Sequence, residues 1–115
     1  RLERVRLVNG EPVAYEDAYL PANLCPGLEQ FDLEKRSLFE VLRSEYNLNP
    51  TWADAELEAA PADETLAAHL GIRPGEPVLI ALRHTYTETM TVIEYVRSVY
   101  SGKNFTFYTG RQYIG

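Results

Sequence analysis

The sequence predicts an α+β domain, an antiparallel β-sheet with flanking helices, on three observations. β-rich runs fold back on one another near both ends of the chain, over residues 2–20 and 77–100. Two short stretches beginning at Ser37 and Asp63 carry apolar residues at helical spacing. The resulting order is strand, strand, helix, strand, helix and three strands, which sets directly paired strands beside helices that pack on them. At 115 residues the chain is one domain, 1–115, with a single core.

Residues 2–8 alternate, with Leu2, Arg4, Arg6 and Val8 on one face and Glu3, Val5 and Leu7 on the other. Asn9-Gly10 then turns the chain into a second strand, Pro12 to Leu20. A two-residue turn would pair Arg6 with Val13 and set Glu16 on the face opposite Arg4 and Arg6. A three-residue loop, with Gly10 as a left-handed bulge residue, pairs Arg6 with Pro12 and Arg4 with Ala14. Arg4, Arg6 and Glu16 then share a face, because directly opposed residues point the same way. The bulged loop is the expectation.

Pro21 to Leu33 is rich in Pro and Gly and reads as loop. Ser37 begins a helix as N-cap with Glu40 as its capping-box partner, and Leu38, Val41, Leu42 and Tyr46 form the apolar stripe. Asn47 to Pro50 ends it. Thr51 to Ala60 is a strand in which acidic residues alternate with Ala and Leu. Asp63 to Leu70 is a second helix with Leu66, Ala67 and Leu70 inward and Gly71 as its C-terminal stop. His69 lies in its last turn, with no metal-binding partner in the sequence around it.

Arg73-Pro74-Gly75 leads into the strand Pro77 to Thr87, whose continuous apolar run predicts burial on both faces. Gly-Glu-Pro-Val at 10–13 recurs at 75–78, each time at a strand entry, as turn chemistry favours. A turn near Glu88 and Thr89 returns the chain along Thr91 to Tyr100, and Phe105 to Tyr108 is read as a last edge strand. Period-two alternation puts Glu94 and Tyr100 on one face with Val92, Val96 and Ser98, and Arg97 on the other with Ile93, Tyr95 and Val99. A carboxylate and a phenol on one strand face could read hydroxyl or amino groups. A solvated face or a structural ion pair is the plainer reading of the same pattern.

Composition narrows the function. The 45% hydrophobic and 24% charged shares are those of a soluble globular domain, and no apolar run approaches the ~20 residues of a membrane span. A lone cysteine, Cys25, and the lack of a signal-like start fit a cytoplasmic protein. The net charge of −6 provides no basic surface for nucleic acid, so any DNA contact is expected from chain outside these residues. The chain opens on a strand without an initiator methionine and reads as a fragment. There is no Gly-rich phosphate loop, metal-spaced His/Cys cluster or nucleophile elbow, and no cofactor is expected. What remains is Arg4, Arg6, Glu16, Glu94 and Tyr100 on sheet faces and Ser37 at a helix start. Two arginines and a helix N-terminus make an anion site, and the carboxylates and phenol suit a polyhydroxy or amino group. Arg4, Arg6 and Glu16 could also form an ordinary cross-strand ion cluster.

These residues also carry a resemblance. Arg4-x-Arg6, Asn9-Gly10-Glu11-Pro12-Val13 with Glu16, Tyr19-Leu20-Pro21, Ser37-Leu38-Phe39, Ala68-x-Leu70-Gly71, Gly75-x-Pro77-Val78-Leu79 and Glu94-Tyr95-x-Arg97-Ser98-x-Tyr100 follow in order. The set resembles the UTRA domain, the effector-sensing half of HutC-type GntR-family bacterial transcription regulators. The resemblance implies a chorismate-lyase-like α+β fold, a winged helix-turn-helix domain preceding Arg1, and a homodimer that meets operator DNA through that domain. It also implies that Arg4, Arg6, Ser37 and Phe39 hold the phosphate of a sugar-phosphate effector, and that Glu16, Glu94 and Tyr100 contact the sugar. Phe39 stands where such sensors have a tyrosine, and Thr-Glu-Thr-Met-Thr-Val replaces the family's Asp-Gly-x-Pro-Val turn. A chorismate-lyase-type enzyme and a structural dimerisation module are the alternatives on the same fold.

Overall fold

A computed structural model describes residues 1–103, 106, 110, 111, 113 and 114. Five strands, β1 (Leu2–Val8), β2 (Glu11–Tyr19), β3 (Trp52–Pro61), β4 (Pro77–Tyr86) and β5 (Val92–Ser101), form one sheet in the order β1-β2-β5-β4-β3. Every neighbouring pair is antiparallel. Helix α1 (Leu38–Tyr46) and helix α2 (Glu64–Leu70) complete the α+β architecture. The last predicted strand, Phe105 to Tyr108, falls mostly outside the described residues. No described helix is long and apolar enough to cross a membrane.

The first hairpin differs from expectation in where its extra residue sits. Asn9 and Gly10, at φ 52° and 79°, form a two-residue turn, with Val8 opposite Glu11 and Leu7 opposite Pro12. Both centres are left-handed, as a tight hairpin turn with the sheet's own twist requires. The bulge comes later: Val13 is the unpaired residue, so Arg6 faces Ala14 and Arg4 faces Glu16. Arg4, Arg6 and Glu16 therefore share a face, through a bulge displaced along β2.

A second irregularity lies in β5. Thr85 pairs with Glu94 but Tyr86 with Val92, which leaves Ile93 as the extra residue. Alternation through this point fails, so Ile93 joins the apolar cluster of Leu38, Leu42 and Cys25 rather than the face of Tyr95 and Arg97. Exposed Val92 leaves the face of Glu94 for the same reason.

The sheet has an apolar cluster on each face. Tyr15, Val78, Ile80 and Val99 pack against Leu66, Ala67 and Leu70 of α2. On the other face, Leu38 and Leu42 of α1 pack on Ile93 and Cys25, with Leu20, Leu24, Leu28 and Leu33 of the 20–33 segment around them. β4 has neighbours on both edges; Val78 and Ile80 on its α2 side and Thr85 on the other are buried, while Leu79 and Ala81, on the same face as Thr85, are half-buried. The prediction of burial on both faces is corrected at this end of β4: α1 packs on Ile93 of β5, and Leu79 and Ala81 are left half-covered.

Helix ends follow local chemistry. Asp63 accepts a 2.8 Å hydrogen bond from the Leu66 amide, and Gly71 at φ 64° closes α2. Asp63→Ala is expected to lower the unfolding free energy by about 0.5–2 kcal/mol in urea titration, while Asp63→Ser stays close to wild type. His69 stacks on Tyr15 with ring centroids 4.3 Å apart, a packing role. At α1 the capping box is absent: Glu40 pairs with Arg36 at 3.1 Å, and the Ser37 hydroxyl makes no cap hydrogen bond. Asn47 ends α1 in the left-handed conformation, and the Tyr46 hydroxyl donates to the Pro26 carbonyl at 2.7 Å, tying the helix to the loop beneath it.

Candidate functional site

The sheet face under α1 is where the polar residues collect. On β1 and β2, Glu16 lies between two arginines: its Oε1 accepts from Arg6 Nε at 2.7 Å and its Oε2 from Arg4 Nη2 at 3.5 Å. One carboxylate thus fixes both guanidinium groups and leaves each with further N–H donors. Glu94, on β5, is 2% exposed. Its Oε1 accepts from Arg83 Nη2 at 3.0 Å and from the Thr85 hydroxyl at 2.9 Å, so the buried charge is paired. Tyr100 lies two strands from Arg6, opposite Ala14 of β2. Ser37 and Phe39 come from the start of α1, above the sheet. All seven residues predicted from the sequence line a single cavity of about 460 Å³. Such a volume suits a small-molecule site.

The cavity's electrostatics oppose those of the chain. Arg4, Arg6, Lys35, Arg36 and Arg83 line it against Glu16, Glu34 and Glu94, in a protein of net charge −6. Arg36 is largely spoken for by Glu40 and Glu45 at 3.1 and 3.2 Å. The first-turn amides of α1 have no intrahelical acceptor, and with Ser37 not capping them they add positive potential at the same end. No histidine or cysteine lines the cavity. The arrangement sets five cationic side chains beside three carboxylates in one cavity.

Sequence reasoning missed Arg83, together with Lys35, Arg36 and Ser98. The signal for Arg83 was present in the hairpin count. A two-residue turn at Glu88 and Thr89 sets Arg83 directly opposite Glu94; the actual register sets Thr85 there and keeps Arg83 on the same face, opposite Val96. The guanidinium of Arg83 lies 5.8 Å from the centroid of the Phe39 ring, which links β4 to the start of α1.

The family profile described as the UTRA domain matches residues 1–106. The chain belongs to the UTRA domain family. Among relatives, this UTRA domain is 34% identical over 107 residues to the HTH-type transcriptional repressor NagR of Bacillus subtilis, a match covering 93% of this chain and 44% of NagR. It is 36% identical over 108 residues to the HTH-type transcriptional repressor PhnF of Mycolicibacterium smegmatis, covering 93% of this chain and 43% of PhnF. The UTRA domain thus spans less than half the length of these relatives. Among solved structures, the effector domain of PhnF from Mycobacterium smegmatis superposes with a TM-score of 0.87 at 30% identity, over 96% of this chain and 68% of that one. The ligand-binding domain of a GntR-family regulator from Bordetella bronchiseptica gives 0.86 at 28% identity, over 96% and 72%.

Proposed function

We propose that this UTRA domain is the sensing part of a GntR-family transcriptional regulator and binds a small anionic metabolite, a sugar phosphate or amino-sugar phosphate. The observation that carries the reading is the cation-rich cavity at the start of α1 in an otherwise acidic chain. Arg4, Arg6 and the opening turn of α1 with Ser37 take the phosphate. Phe39 packs beside it, while Glu16, Glu94 and Tyr100 meet the sugar hydroxyls or amine. The regulator acts as a homodimer whose operator contacts lie in a helix-turn-helix domain outside these residues, a reading supported by relatives named HTH-type transcriptional repressors. Effector binding favours one arrangement of that dimer and so changes operator affinity by population shift.

A thermal-shift screen with glucosamine 6-phosphate, glucose 6-phosphate, trehalose 6-phosphate, urocanate and chorismate tests this. A ligand at 100 times its Kd adds about 2.7 kcal/mol, several degrees of melting temperature for a domain this size. A shift with a phosphosugar that disappears for the unphosphorylated sugar is the expected result. Shifts that do not depend on the phosphate would overturn it, as would turnover of chorismate, which instead supports a lyase-type enzyme.

A further inference from the structure

We propose that Lys35 is a specificity-determining residue for the anionic effector: its ammonium meets the phosphate at the opening of α1 and selects a doubly charged ester over a singly charged one. The inference rests on the anion-site reading above and names the group within that site that reads ligand charge.

The five cations of the cavity are not equally available. Arg4 and Arg6 are held by Glu16 at 3.5 and 2.7 Å, Arg83 by Glu94 at 3.0 Å, and Arg36 by Glu40 and Glu45 at 3.1 and 3.2 Å. Lys35 lines the same cavity and is exposed, and among the described residues its side chain has neither an ion pair nor a hydrogen bond. An arginine paired with a carboxylate recognises an oxygen by the geometry of its remaining N–H groups, whereas an unpaired ammonium acts as a point charge. Five cationic and three acidic side chains line the cavity, so loss of Lys35 alone halves its positive excess.

The local backbone sets Lys35 where the phosphate is expected. The Asp32 carbonyl accepts from the Lys35 and Arg36 amides at 3.2 and 3.0 Å, and Asp32 Oδ1 accepts from the Glu34 amide at 3.1 Å, so residues 32–36 form a closed turn that leads into Ser37. Lys35 stands two residues before Ser37, whose hydroxyl leaves the first amides of α1 uncapped. Two residues of chain span at most about 7 Å, and the flexible four-carbon stem of a lysine covers that gap. Arg36, next along the chain, is drawn onto α1 by Glu40, Ser44 and Glu45 and leaves the position to Lys35. A phosphate monoester carries close to two negative charges near neutral pH, with a second pKa of about 6. A sulfate monoester has the same tetrahedral shape and carries a single charge, so the second charge is what a nearby ammonium rewards.

Calorimetric titration of the protein with glucosamine 6-phosphate and glucosamine 6-sulfate tests the assignment. Wild type is expected to bind the phosphate more tightly. Lys35→Gln should weaken the phosphate by about tenfold and the sulfate by about threefold or less, so that the preference between them shrinks. Lys35→Arg keeps the charge and should hold the wild-type preference. Arg73→Gln removes an exposed charge outside the cavity and should change neither affinity. All three variants should melt with wild type, because both side chains are exposed. Equal affinities of wild type for the two esters, or a preference that Lys35→Gln leaves unchanged, would overturn the role of Lys35 and leave the anion site standing. A matching loss in Arg73→Gln would overturn it too, by marking a general effect of net charge. If wild type binds neither ester, the anion site fails and this inference with it.

Discussion

Arg6→Ala is expected to weaken binding of a phosphosugar by about 10- to 100-fold, matching the loss of a hydrogen bond to a charged group at about 1.5–3 kcal/mol. The fold should scarcely notice. Arg6 is 53% exposed at its side chain, its bond to Glu16 is a surface pair, and such pairs contribute about 0–1 kcal/mol. Glu16 keeps Arg4 as a partner when Arg6 is lost. Calorimetry and thermal melting on the same sample separate the two readings of this cluster. If the melting temperature falls by many degrees and ligand affinity is unchanged, Arg4, Arg6 and Glu16 are a structural ion cluster and the anion site lies elsewhere.

Leu42→Ala should give the largest loss of stability. Leu42 is fully buried between α1 and the sheet, in the cluster with Leu38, Ile93 and Cys25. Truncation of such a side chain removes about 2–5 kcal/mol, and for a domain near this size that is roughly 8–20 °C in melting temperature. Leu42→Met, which keeps the volume, should cost less than about 1.5 kcal/mol. A shift of only a degree or two for Leu42→Ala would mean that α1 is not docked on the sheet as described, and the upper wall of the cavity at Ser37 and Phe39 would lose its support.

Much of the fold was legible because local signals agreed. Asp63 with Gly71 and the alternation of β3 each correspond to one backbone geometry, and those elements stand where they were expected, while Asn9-Gly10 marked the place of the first turn but not its type. What was not legible is how strands count against each other. The Val13 and Ile93 bulges have no composition signature, yet each inverts the faces that follow. Arg4, Arg6 and Glu16 came together for a reason different from the one inferred: a tight turn plus a later bulge gives the same parity as a longer loop. The capping box failed because Arg36, next to Ser37, competes for Glu40. Arg83 escaped notice because β4 reads as a buried apolar strand, whereas α1 leaves part of that face open to the cavity.

The sheet order has a consequence for the lifetime of the protein. The floor of the cavity draws on β1, β2, β5 and β4, and the β1–β2 hairpin joins β4 only when β5 has inserted between β2 and β4. Partly assembled chains therefore possess no cavity, and whatever occupies it must favour the complete sheet over every species that proteases attack. On the proposed reading, abundance of the protein should then rise with the concentration of the anionic metabolite, so that supply of that molecule sets how much of the protein survives as well as how it behaves.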